Sequence, residues 1–176
     1  MTTFVSVGNA RQPFPRLLDA LRPLATMLPR PIVVQHGHTP FAASGFEAIA
    51  FMGMEEFETR LAAAQLVIIH AGAGSLMHAL AARKVPVVMP RQARHGEHVN
   101  DHQVELAQAL ADTDRIALAN EAEDLDQAVV TALRRQRERQ SLDRAGSTDT
   151  VENRMLALVR QVLADCMQHG IKGAGI

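Results

Sequence analysis

A chain of 176 residues, 47% hydrophobic and 21% charged, can bury one substantial core and has the balance of an ordinary globular domain. Its formal charge of -1 excludes a broad basic surface for nucleic acid, and its single cysteine, Cys166, excludes an internal disulfide and fits a reducing compartment. No apolar run approaches the roughly 20 residues of a membrane span, the first residues lack a signal-peptide pattern, and the absence of Trp and Tyr removes an aromatic stacking platform.

Short β-rich runs alternate with longer helical patterns along the chain. Residues 3–7 read as a strand that stops at Gly8-Asn9, and residues 13–28 carry Leu17, Leu18, Leu21, Leu24 and Leu28 at helical spacing. Pro29 and Pro31 are expected to end that helix. Residues 32–36 form a second strand, 47–51 a third, and 55–64 a short helix. Leu66-Val67-Ile68-Ile69 has the fully apolar, β-branched character of a strand covered on both faces. A helix opens at Gly72-Ala73-Gly74-Ser75 and runs to about Arg83, and residues 85–89 make another buried strand. A polar loop over 91–97 precedes a helix over 99–110, residues 115–118 suit a short last strand, and a further amphipathic helix begins at Ala122 and continues into the charged 134–140.

Residues 141–150 read as a polar hinge and residues 151–163 as a final amphipathic stripe, which divides the chain into a domain over 1–140 and a hinge, helix and tail over 141–176. That stripe covers either this domain's own core or a partner. Strand alternating with helix, with connections too long for hairpins, implies an α/β fold with a doubly wound parallel sheet. Ligands in such folds sit beyond the carboxyl ends of the strands. The loops that matter are therefore 8–13, 35–40, 51–54, 70–75 and 90–103.

Two of these loops carry chemistry. In the first, His70-Ala71-Gly72-Ala73-Gly74-Ser75 follows a buried strand. Glycines let the backbone approach a ligand, and the new helix aims free N–H groups and its positive dipole end at an anion such as a diphosphate. Ser75 could cap the helix and donate to a phosphate oxygen. No Gly-Lys-Ser/Thr follows, so this is not a Walker loop. Met77 stands where a dinucleotide fingerprint needs its third glycine, and no acidic residue ends the next strand to hold a ribose.

The second stretch, residues 90–103, packs His95, His98, His102, Glu97, Asp101, Arg91, Arg94, Asn100, Gln92 and Gln103 together. It reads as a solvated loop and helix start, as a metal site lacking a clear ligand pattern, or as a comb of donors and acceptors for sugar hydroxyls. Arg91 or Arg94 could also pair with the carboxylate of a uronic acid.

Taken together, the His70–Ser75 turn, Val85-Pro86-Val87-Val88-Met89-Pro90-Arg91 and His95-Gly96-Glu97-His98-Val99-Asn100-Asp101-His102-Gln103 resemble the C-terminal, donor-binding domain of family-28 glycosyltransferases. The nearest likeness is to free-standing versions, the PssE-type subunits and the catalytic subunit of the eukaryotic two-subunit UDP-GlcNAc transferase, with MurG-like enzymes more distant. The likeness covers roughly residues 3–133 and implies a Rossmann-like half of a GT-B fold.

The resemblance implies that Gly8, Asn9, Gly72, Gly74 and Ser75 face the diphosphate and that Met52, with Phe51, meets the uracil. It implies that His102 and Gln103, then Glu97, Asn100 and Asp101, read the donor sugar. His70 is the candidate catalytic residue, as a donor to the departing UDP. MurG-like proteins hold the ribose with a Glu where His78-Ala79 stands here, so that contact departs from the pattern.

The implied activity is that of a UDP-sugar-dependent hexosyltransferase: inverting transfer from a UDP-sugar to a polyprenyl-diphosphate-linked acceptor in exopolysaccharide synthesis, without cofactor or metal. The acceptor half of such enzymes has no counterpart in these residues. A membrane-anchored partner is therefore expected to supply the acceptor site and the general base, and to hold this chain in a heteromer at the cytoplasmic face of the membrane. A non-catalytic nucleotide-sugar-binding or regulatory subunit is the alternative.

Overall fold

Six runs of aliphatic and β-branched residues pair side by side in the computed structural model, which describes residues 2–144. In chain order the strands are β1 (Thr3–Ser6), β2 (Ile32–Gln35), β3 (Phe46–Ile49), β4 (Leu66–His70), β5 (Val87–Met89) and β6 (Ala117–Leu118). They lie in the order β3-β2-β1-β4-β5-β6, and every neighbouring pair is parallel. β1 is the hub: Phe4 pairs with Val33 on one side and Val67 on the other. The helices are α1 (Pro15–Leu21), α2 (Met54–Ala63), α3 (Ala73–Ala81), α4 (His102–Ala111) and α5 (Leu125–Arg144).

The period-2 alternation of side chains divides the core into two layers. Val5, Val34, Ile68, Val87 and Met89 point to one face, where Leu17, Leu18 and Leu21 of α1 and Leu125, Ala128, Val129 and Ala132 of α5 cover them. Phe4, Val33, Val67, Ile69 and Val88 point to the other, beneath Leu61 of α2, Leu76, Ala79 and Leu80 of α3, and Leu106, Ala107 and Leu110 of α4. β1, β2, β4 and β5 are buried along their whole length, whereas the edge strand β3 is half-buried to exposed. This explains why β4 and β5 read as unbroken apolar runs.

Several boundaries differ from those expected. The long first helix stops at Leu21 and gives way to one 3₁₀ turn over Arg22–Leu24. Pro23, not Pro29, sets the limit: it has no N–H to give the carbonyl of Asp19, which takes the Arg22 N–H instead. β5 begins at Val87 because the preceding Pro86 cannot donate to a ladder and the Val85 N–H goes to the Gln136 side chain, 2.8 Å away.

α4 begins at His102, three residues after the expected start. Gly96, with φ of 68°, and a bond of 2.8 Å from the Ala93 N–H to the Asp101 carboxylate hold the preceding residues in turns. α5 runs through the first four residues of the expected hinge to Arg144. The rest of that hinge and the amphipathic stripe over 151–163 lie outside the described residues. Among the described residues no helix is long and apolar enough to cross a membrane.

Gln136 ties α5 to the sheet by a bond outside the apolar layer. It is 7% exposed, accepts from Val85 N–H and donates to the Arg83 carbonyl at 3.3 Å. Gln136→Ala orphans the Val85 N–H and is expected to cost about 1–3 kcal/mol, read as a lower urea midpoint; an unchanged midpoint would contradict this docking of α5.

Candidate functional site

The chain leaves β1 toward β2 on one side and returns at β4 on the other, so the loops after β1 and β4 part and open a crevice between them. A cavity of ≈ 230 Å³ occupies it. Gly8 and Asn9 line it from the loop after β1, Met52 from the loop after β3, and Gly72, Gly74 and Ser75 from the turn into α3. Six of the expected ligand contacts therefore converge on one space. Ser6, Gln35, Met54, Phe57, His70 and His78 complete the wall.

The floor at the α3 end is a set of donors. Gly72 is the N-cap, and the first N–H to bond inward is that of Leu76, to the Gly72 carbonyl at 3.0 Å. The N–H groups of Gly72, Ala73, Gly74 and Ser75 have no acceptor among the described residues. They stand at the positive end of the helix dipole, the arrangement that binds anions. Ser75 sits at the third helical position and does not cap α3, contrary to expectation. A Cβ at Gly74 would meet nothing within 4 Å, so the space above it is open.

The opposite wall is pre-set by a chain of side-chain bonds. The Ser6 hydroxyl donates to Gln35 Oε1 and accepts from the Gly8 N–H at 3.2 Å. Gln35 Nε2 donates to Asn9 Oδ1 at 2.9 Å and lies 3.4 Å from the Gly8 carbonyl. With its oxygen engaged, the exposed Asn9 amide presents its NH₂ group as a donor. Gly8 itself has φ of +75°, a left-handed conformation that suits glycine.

His70, the candidate catalytic residue, ends β4 with its ring wedged between two glycines. A Cβ on Gly8 would lie 2.5 Å from its Cε1, and one on Gly72 would collide with its Nε2. The ring is 9% exposed and its Nδ1 is buried without a hydrogen bond of good geometry. Burial, then the charge of Arg91, pulls its pKa down to about 4; the Ser6 backbone partly offsets this, and the His98 charge adds a little. At neutral pH His70 is therefore an uncharged donor or acceptor facing the anion-binding floor.

The histidine-and-amide segment folds back on itself more than expected. Glu97 is 2% exposed and lies in no contact with the cavity. Its carboxylate accepts from Arg16 Nε at 2.9 Å, from Arg16 Nη2 at 2.8 Å and from the Gln92 N–H at 3.0 Å. Its expected sugar contact gives way to an internal clamp, because a buried carboxylate needs its full set of donors. Arg91, considered for a uronic acid, is fully buried and bonded to the carbonyls of Val7, Gln12 and Glu97, its charge packed 4.8 Å from the Phe14 ring. Arg94 pairs with Glu121.

The other expected sugar contacts do not line the cavity. Gln103 Oε1 accepts from the Arg91 N–H at 3.1 Å, and Asn100 Oδ1 lies 3.0 Å from His98 Nδ1. Asp101 holds Ala93, and His102 is exposed beside Glu105 at 3.4 Å. Among the described residues no three His, Cys, Asp or Glu side chains come together as a metal ligand set.

Sequence reasoning missed Ser6 and Gln35, although both are polar residues at the carboxyl ends of apolar strands, which is a usable signal. Met54 and Gln35 fall within loops already marked as lying at the ligand edge, whereas Phe57 carried no signal, since it reads as an ordinary residue of a helix.

The low pKa of His70 has a measurable consequence. The folded value lies below the unfolded value of about 6.5, so the unfolded chain takes the proton first as pH falls. Stability from this residue is full above pH 6.5 and is lost progressively toward pH 4. The His70 ring resonances are expected to stay in the neutral form down to about pH 5 in an NMR titration, and His70→Asn should flatten the acid limb of stability; a midpoint near 6.5 would contradict the burial.

Comparison with known proteins follows the same lines. The family model described as glycosyltransferase family 28 C-terminal domain matches residues 32–155. No curated protein matches the sequence. Among solved structures, the chain is similar to one described as the glycotransferase of kitacinnamycin, with a TM-score of 0.59 and 19% identity over 93% of this chain. The chain spans 39% of that protein's length. The match in fold covers almost all of this chain, and the family match covers more than half of it, including β4, the α3 turn and the segment after β5. The chain belongs to the C-terminal domain family of family-28 glycosyltransferases, with the Rossmann-like sheet of a GT-B half.

Proposed function

We propose that this chain is the donor-binding, catalytic subunit of a two-component inverting glycosyltransferase that moves a sugar from a UDP-sugar to a polyprenyl-diphosphate-linked acceptor. The single observation that carries this reading is the row of four acceptor-free N–H groups at the start of α3, facing a cavity at the switch point of the sheet. A diphosphate supplies the acceptors that row lacks. As the sugar–phosphate bond breaks, negative charge grows on the departing UDP, and donors fixed in advance stabilise it without reorganising. His70, uncharged and lining the cavity beside Gly72, adds one more donor from its ring.

The need for a partner is supported by what His70 cannot do. A group with a pKa of about 4 is too weak a base for an acceptor hydroxyl at neutral pH. Glu97 is held in its ion pair. The proton acceptor and the acceptor site are therefore assigned to a membrane-anchored partner that keeps this chain at the cytoplasmic face in exopolysaccharide synthesis. The reading of the hexose is assigned to His102, Gln103, Asn100 and Asp101, in the segment after β5, on the resemblance of that segment to the family's sugar-reading stretch.

Two measurements test this. UDP at a hundred times its dissociation constant is expected to stabilise the fold by about 2.7 kcal/mol, a shift of several degrees in a thermal melt. Gly74→Ala should fold at least as well as wild type, since Ala is the better helix former by about 1 kcal/mol. Its methyl group enters the open space over α3, so UDP affinity should fall; unchanged affinity would remove the diphosphate from this turn.

Radiolabelled transfer from a UDP-sugar to a lipid acceptor is expected only when the chain is co-expressed with its membrane partner. Strong transfer by the purified chain would overturn the two-component reading. UDP binding without transfer in either setting would leave a nucleotide-sugar-binding module.

A further inference from the structure

The ring of His70 meets two environments at once. Nδ1 is enclosed and has no hydrogen bond of good geometry, while Nε2 is the ring atom that a Cβ on Gly72 would strike first, at the start of the N–H row that opens α3. The ring lines the cavity. A neutral imidazole has one N–H and one lone pair. With the proton on Nδ1, it turns a lone pair toward Gly72 and the anion-binding floor. With the proton on Nε2, it leaves the buried Nδ1 bare. Only the imidazolium donates from both nitrogens.

Little in the free protein supports that charged form. Arg91 and His98, both from the segment after β5, act against it, and so does burial; the Ser6 backbone of β1 acts in its favour, and no carboxylate is among the groups that shift it. The loop after β1 brings only the uncharged Gly8 and Asn9 to this wall. The turn into α3 brings the positive end of a helix dipole. A bound diphosphate reverses the balance. Its negative charge stands against Arg91 and the dipole, and its oxygens accept from a ring N–H.

We infer that a diphosphate binds here together with a proton that His70 takes from solvent, and that the resulting imidazolium donates to the anion; this rests on the reading of the cavity as a UDP-sugar site. Proton and anion favour each other by the same factor. The free ring is half-protonated at about pH 4, and the bound ring is expected to protonate near pH 6.5 or above, about its ordinary value. The gain in affinity is therefore absent well above the bound value, grows as pH falls through it, and levels off below the free one. The same proton faces the charge that grows on the departing UDP, and a ring that already holds it cannot take another from an acceptor hydroxyl.

Calorimetric titration with UDP at about pH 5.5, between the two values, in two buffers of different ionisation enthalpy counts the protons taken up. His70→Gln, which keeps a neutral donor, is the reference. The terminal phosphate of UDP has a pKa of about 6, and its own protonation is common to both proteins and cancels in the difference. Wild type is expected to take up about one proton more than His70→Gln. Its UDP affinity, relative to that variant, should rise about tenfold between about pH 7.5 and about pH 5.5.

In an NMR titration the ring of UDP-bound His70 should be charged at about pH 5.5, where the free ring is neutral. Equal proton uptake by the two proteins, or a bound ring that is still neutral at that pH, overturns the inference while UDP binding persists. Should His70→Gln fail to fold, the titration of the bound wild-type ring decides alone. Failure of wild type to bind UDP removes the donor-site reading and this inference with it.

Discussion

The site depends on one buried cation. Arg91 follows the end of β5, is fully enclosed, and spends its guanidinium on backbone carbonyls of three separate loop positions: Val7, Gln12 and Glu97. Burial depresses its pKa, and the carboxylate of Glu97 works in the opposite direction. Glu97 is itself gripped by Arg16 from α1. These bonds fasten the loop after β1 to the loop after β5. An arginine suits this place because its planar fork reaches several acceptors at once, which a lysine cannot do. The residues that touch the cavity are held by a residue that does not.

The glycines next to His70 show how closely that arrangement is fitted. Gly8 and Gly72 come from loops on different strands, yet both are shaped around the same imidazole. Ser6, Gln35 and Asn9 continue the fitting along the loop after β1, each side chain setting the orientation of the next. The site is thus rigid on the β1 side and at the start of α3. Residues 98–103 lie outside the cavity lining, and Asp101 there is exposed.

Much of this was legible in the residues. The alternation of apolar runs and amphipathic patterns gave all six strands and five helices, because central strands covered on both faces must be apolar throughout. The turn at residues 72–75 was legible from its glycines after a buried strand, and the structure shows that Gly72 is the one packed against His70. Helix ends were less so: Pro23 outweighed an apolar stripe that continued to Leu28, and side-chain bonds from Asp101 and Gln136 delayed α4 and β5. The polar segment after β5 was misread in part. Charged residues with the same composition split between a buried clamp, Arg91 and Glu97, and an exposed rim, and spacing along a loop carries no information on which side chain turns inward.

The clamp also sets a local field that the whole-chain charge conceals. Arg16, Arg91 and Arg94 gather around two carboxylates, Glu97 and Glu121, while His70 stays uncharged in front of them. Three cations thus meet two carboxylates around this clamp, in a protein that is slightly anionic in sum. Such a field attracts anions of any kind from beyond contact distance and weakens as added salt shortens the screening length, so the rate at which an anion is captured there will depend on ionic strength more steeply than the rate of its escape.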